Sequence, residues 1–205
     1  MQQVTRRFTL LLAGLVFLVP LAAVAKPFSI AEAMKDRVLG NPKAPVTMIE
    51  YASLSCPHCA DFANETLPKI EKNFIDTGKV KLIYRDYPFD GPAFAAAMVT
   101  RCAPPKRYFE FIKVLFANQD IWARTADPRA GLARIAKLGG MTNAEYNACV
   151  DNKSLYEALR QRAISAQREY GVHSTPTFLI GGKTIVGAQP YEVFAKALTD
   201  AAKKK

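Results

Sequence analysis

Cys56-Pro57-His58-Cys59 is the stretch whose residue types and spacing can do chemistry. Two thiols at i and i+3 on a first helical turn lie side by side, close enough to close one small disulfide ring. The first of them, Cys56, falls where unpaired backbone N–H groups and the positive end of the helix dipole stabilise an anion. That position favours a thiolate, and the thiolate is the nucleophile of disulfide exchange. Other uses of the tetrad fit less well. A zinc half-site needs a second ligand pair, and the chain has no other C-x-x-C and no close His pair. Covalent haem attachment needs His directly after the second Cys, where Ala60 stands. A structural disulfide would leave the placement of the tetrad unexplained, and copper held by two soft sulfurs is the main rival to redox chemistry.

The elements that must position these thiols can be read on either side. Residues 46–51 (Val-Thr-Met-Ile-Glu-Tyr) suit a buried strand, and the short turn 52–55 leads into the tetrad. Ser55 is the expected N-cap, and Pro57 suits a first turn, where a missing N–H costs nothing. Ala63, Leu67, Ile70 and Phe74 then recur at helical spacing up to Gly78. Residues 80–85 alternate as a second strand, so strand, helix and strand make a parallel β-α-β unit. Late in the chain, 177–180 and 183–186 read as strands joined by a Gly181-Gly182 hairpin. Pro190 opens a final helix with Tyr191, Phe194, Ala195 and Leu198 on one face.

About eighty residues with helical signals alone separate the two halves. Tyr108, Phe111, Ile112, Leu115 and Phe116 keep helical spacing; Asp127-Pro128 starts a helix that stops at Gly139. Thr142 with Glu145, and Ser154 with Glu157, read as capping boxes. Gln119 and Trp122 read as cap and packing residues between helices. Ahead of the first strand, Ile30, Met34 and Val38 mark an amphipathic segment within 26–40, closed by a Gly/Pro-rich turn.

The chain opens with basic Arg6 and Arg7, an apolar run over 8–24 and Ala23-Val24-Ala25. That order describes a cleavable secretory signal, cut after Ala25, and places the remainder in the periplasm. Disulfides persist there. With Cys56 and Cys59 forming a local pair, Cys102 and Cys149 are left and read as a structural bridge, with two free buried thiols as the alternative. The net charge of +10 falls to about +8 without Arg6 and Arg7. No basic run interleaved with aromatics accompanies it, so nucleic acid is not an expected partner.

Leu39-Gly40-Asn41-Pro42, Ala44-Pro45-Val46, Glu50-Tyr51, Cys56-Pro57-His58-Cys59, Gly171-Val172 and Thr175-Pro176-Thr177-Phe178 together carry a resemblance over essentially all of the chain beyond the signal. The sequence resembles the DsbA-like thiol oxidoreductases of the thioredoxin superfamily. The resemblance implies an α/β thioredoxin fold with an inserted helical domain: signal 1–25, thioredoxin-like parts 26–91 and 171–205, insertion 92–170. It implies a cis Thr175-Pro176 peptide facing the active site, where the Thr175 backbone can pair with an extended substrate. His173, nearby, reads as a loop residue. Cys56 and Cys59 would exchange disulfides, with His58 donating to or partly neutralising the thiolate. Strand geometry points Glu50 toward Cys59, and the superfamily assigns such an acid to proton exchange; a carboxylate satisfied by a neighbour such as Arg85 is the alternative. The implied activity is a dithiol oxidase for reduced exported proteins, itself reoxidised by a quinone-linked, DsbB-like membrane partner, with no cofactor and no metal. The strongest oxidases of the family often carry Val where Thr175 stands, which keeps a reductase or isomerase open. About twenty residues between signal and first strand leave no room for a dimerisation domain, so a monomer is expected.

Overall fold

The first core strand is the middle of the sheet. In the computed structural model, which describes residues 28–204, β2 (Val46–Ala52) is buried on both faces from Glu50 onward. It pairs in parallel with β3 (Val80–Asp86), Val46 opposite Val80 and Ala52 opposite Asp86. On its other side it pairs antiparallel with β4 (Thr177–Ile180), which turns back into β5 (Lys183–Val186). Gly181 and Gly182 both have positive φ, 54° and 82°, as a two-residue hairpin of this hand requires.

The fifth strand is a correction. Over the described part of 26–40, residues 28–40, the chain forms not one amphipathic segment but a single helical turn, α1 (Ile30–Ala33), followed by an edge strand, β1 (Arg37–Leu39). β1 runs antiparallel to β3, with Arg37 opposite Tyr84, and completes the order β1-β3-β2-β4-β5. Ala33 is buried and Val38 is exposed. A three-residue strand is too short for its periodicity to show; the free edge of β3 supplies the hydrogen bonds that decide it.

The helix after the tetrad is not uniform. It starts as α2 (Pro57–Asp61), widens into a π turn over Phe62–Thr66, resumes as α3 (Leu67–Ile70) and widens again over Glu71–Ile75. Pro68 has no N–H for the Asn64 carbonyl, and the first wide turn falls where that bond would be. The extra residue rotates the buried face. Cys59 and Ala60 pack toward the helical insertion, whereas Phe62, Leu67, Ile70 and Ile75 pack on the sheet beside Phe178 and Phe194. Phe194 belongs to α10 (Tyr191–Lys203), whose buried residues are Phe194, Ala197, Leu198 and Ala201, with Ala197 in the place expected of Ala195.

Between β3 and β4 lie α4 (Gly91–Cys102), α5 (Tyr108–Ala117), α6 (Gln119–Trp122), α7 (Pro128–Leu138), α8 (Asn143–Val150) and α9 (Lys153–Tyr170). Gly171, with φ +63°, ends α9 and returns the chain to the sheet. All five apolar residues expected on one face of α5 are buried, and the Thr142–Glu145 capping box opens α8. The Ser154–Glu157 box does not form. Asn152 caps α9 by accepting from Leu155 N–H at 3.0 Å, and Glu157 turns to Arg160 and Gln161. Asn152 stands two residues earlier, so the helix starts before Ser154 can cap it.

One link ties the insertion to the sheet and a second closes it on itself. Arg101, fully buried in the Ala-rich α4, lies 2.6 Å from Asp86 at the end of β3. It also donates to the carbonyls of Ala33 and Lys35 at 3.1 and 2.8 Å. The next residue, Cys102, is joined to Cys149 of α8. The signal read over 1–25, with its cut after Ala25, lies outside the described residues.

Candidate active site

Cys56 stands at the hinge between turn and helix. Its φ and ψ, −75° and 124°, are extended, and its N–H closes the turn on Ser53 O at 3.1 Å. Pro57 then fixes the first helical residue. Cys56 itself therefore occupies the N-cap position, with no side-chain cap. Ser55, expected there, does something else: its hydroxyl donates to the Asp90 carboxylate at 2.7 Å, and Asp90 in turn caps α4 by accepting from Ala93 N–H. A charged acceptor outcompetes the N–H groups that a capping serine would serve.

The two thiols are buried and adjacent but electrostatically unlike. A hydrogen bond from the Cys59 thiol, another from the Thr175 side chain, and the N–H groups of Cys59 and His58 hold Cys56 down at about 5, against the opposing effect of burial. As a thiol it faces the Thr175 carbonyl oxygen at 3.5 Å. Cys59 is pushed far the other way, by burial first, then by Cys56 and by Glu50. One sulfur is kept as an anion and its neighbour as a thiol.

Glu50 is buried on β2, pushed up to about 8 by that burial, with Oε1 lacking any hydrogen-bond partner. Arg85 does not satisfy it: its guanidinium pairs with Asp36 at 2.8 Å and donates to the Tyr51 hydroxyl. The alternative reading of Glu50 is thereby corrected. The His58 ring is exposed, 3.4 Å from Asp61, and what His58 gives Cys56 is its main-chain N–H. The Thr175-Pro176 peptide is cis. The β2–β4 ladder begins only at Tyr51–Thr177, so Thr175 lies beyond the paired residues. His173 sits outside this group, 3.5 Å from Gln167 Nε2.

Sequence reasoning missed one participant. Gln119, taken for a cap, is buried and sends its side-chain amide to the carbonyls of Leu54 and Cys56, at 2.7 and 2.9 Å. The available signal was weak: one of two adjacent amides, Asn118 and Gln119, after an apolar helical run and three residues before the buried Trp122. Among the described residues no three His, Cys, Asp or Glu side chains converge to hold a metal.

A family profile described as Thioredoxin matches residues 32–200. The crystal structure of alpha-DsbA1 from Wolbachia pipientis superposes with a TM-score of 0.77 at 32% identity, over 83% of this chain and 92% of that one. The chain belongs to the DsbA-like branch of the thioredoxin superfamily. Another DsbA-like relative, disulfide bond formation protein D of Bacillus subtilis, is 26% identical over 173 residues, 82% of this chain and 78% of that protein. A Rickettsia prowazekii chain provisionally named a protein-disulfide oxidoreductase is 30% identical over 177 residues; the present chain spans 64% of its length. Over the superposed residues the Wolbachia structure shares the fold described above.

Proposed function

We propose that this chain is a periplasmic thiol:disulfide oxidoreductase that introduces disulfides into exported proteins through Cys56 and Cys59. The observation that carries the reading is the divergence of the two thiols, Cys56 near 5 and Cys59 far above its ordinary value. A disulfide whose attacked sulfur leaves as a stable anion is readily given away.

The oxidised protein presents the Cys56–Cys59 bond. A substrate thiolate attacks Cys56 Sγ; the new bond joins substrate to Cys56, and the electron pair leaves on Cys59. Cys59 holds its proton strongly, so the leaving sulfur takes one up, and the buried, protonated Glu50 is the nearby acid that can supply it. A second substrate thiolate then attacks the substrate sulfur of the mixed disulfide. Cys56 leaves as a thiolate, held by the N–H groups of His58 and Cys59. Two electrons have passed from substrate to protein, and the substrate carries a disulfide. Thr175, outside the β4 ladder and against Cys56, offers backbone groups to an extended substrate segment. In this reading Cys102–Cys149 is a structural bridge, 92–170 is the insertion in a thioredoxin-like body of 26–91 and 171–205, and the monomer is reoxidised by a quinone-linked membrane partner. Among the described residues no helix is long and apolar enough to cross a membrane itself.

Alkylation of thiols in freshly isolated periplasm tests the direction. Cys56 and Cys59 mostly oxidised supports the donor reading; mostly reduced supports a reductase or isomerase. Cys59→Ser is expected to accumulate mixed disulfides through Cys56, and Cys56→Ser to abolish turnover. Full activity in Cys56→Ser refutes the mechanism.

A further inference from the structure

The nucleophile's turn is held from outside the thioredoxin half. Gln119 begins α6, in the insertion, yet its Nε2 bonds Leu54 O and Cys56 O, 65 and 63 residues earlier in the chain. Carbonyl oxygens only accept, so the amide must turn its NH₂ toward them, and both N–H bonds are spent there. The other end of the amide agrees: Oε1 faces the Arg124 guanidinium at 3.4 Å. The two carbonyls flank the residue pair that enters the helix, one on either side of Ser55. The Cys56 carbonyl also accepts the first helical N–H, from Ala60 at 3.2 Å.

The platform behind the amide is firm. Trp122, at the other end of α6, is fully buried and donates Nε1–H to Leu115 O at 2.8 Å. α7 approaches so closely that a Cβ on Gly131 would lie 2.7 Å from Ile121 O and 2.8 Å from Trp122 Cα. α6 therefore has little freedom to slide. Its amide fixes where the carbonyl dipoles of Leu54 and Cys56 point, and so the entry angle of α2.

We propose that Gln119 is a positioning residue: from the helical insertion it clamps the 54–56 turn in the shape that aims the Cys56 sulfur at the N–H groups of His58 and Cys59. It touches neither sulfur and acts through the backbone. The insertion then tunes the nucleophile as well as roofing it. This rests on the reading of Cys56 as the nucleophile, and deepens it.

The test is the ultraviolet titration of the thiolate in the reduced full-length protein. Gln119→Met keeps length and bulk and removes both donors. Its Cys56 midpoint is expected to rise by about one pH unit, a tenfold fall in the thiolate-to-thiol ratio at a given pH. Leu155→Ala loosens a separate part of the core and leaves α6 untouched; it should melt earlier and titrate as the parent does. If Gln119→Met does not fold, Gln119→Asn, whose amide is too short to reach both carbonyls, carries the same expected rise. A folded Gln119 variant that titrates with the parent overturns the inference, as does an equal rise in Leu155→Ala. A parent protein in which Cys56 itself titrates like a free thiol sinks the nucleophile reading instead, so the two failures are distinguishable.

Discussion

Glu50→Gln offers a quantitative check, because Glu50 should make the oxidised protein less stable as the pH rises. An ordinary glutamate gives up its proton near 4.5; burial holds Glu50 at about 8. Between those values the unfolded chain is ionised at this position and the folded one is not. The native state binds more protons, so stability is fully present below the lower value and is lost as pH rises through the window. The slope is ~1.4 kcal/mol per pH unit, or about 3 kcal/mol by neutral pH. In the oxidised protein Cys56 and Cys59 do not titrate, so the difference between parent and Glu50→Gln isolates this carboxyl. Urea unfolding at a series of pH values from 5 to 8 should give parent stabilities that fall relative to the variant by that slope. The reduced protein supplies a second sign. Cys56 falls from about 9 unfolded to about 5 folded, so its contribution grows as pH rises across the same window. The two trends oppose each other. Reduced parent should be nearly flat from pH 5 to 8, and reduced Glu50→Gln should gain stability with rising pH. Parallel oxidised curves for parent and variant would show that Glu50 carries no trapped proton, and the proton step proposed for Cys59 would lose its donor.

Two further outcomes follow from the ion pair that joins the insertion to the sheet and from the disulfide within the insertion. Arg101→Met leaves Asp86 buried without its partner and removes the bonds to Ala33 and Lys35, so it should cost about 3–5 kcal/mol in denaturant unfolding. Replacing Cys102 and Cys149 together by Ala releases a 47-residue separation, which the chain-entropy relation values at about 4 kcal/mol. Melting should move down accordingly, while the titration of Cys56, which lies in a separate part of the core, stays in place.

What could be read in the sequence was local, and what could not was distant. Val46–Ala52, the tetrad and Val80–Asp86 each carry their own pattern, because period-two and helical spacing are set by burial on one face. The tetrad's acidity was readable from its place at a helix start. Arg101 carries no such signal, since an arginine in an alanine-rich helix looks like a solvated face until Asp86 arrives from another element. Ser55 lost its capping role to a carboxylate 35 residues away. Ser154 lost its own to Asn152, a competition between near neighbours that spacing alone leaves undecided. Gln119 is the extreme case. Its partners are main-chain oxygens, which no residue-type pattern can mark.

The cis Thr175-Pro176 corner reaches Cys56 from 119 residues further along the chain. During synthesis the amino-terminal part is made first. A chain that ends short of Thr175 already holds both cysteines but lacks the Thr175 contact that helps keep Cys56 anionic. Full reactivity at Cys56 therefore comes only with the last stretch of the chain to be made.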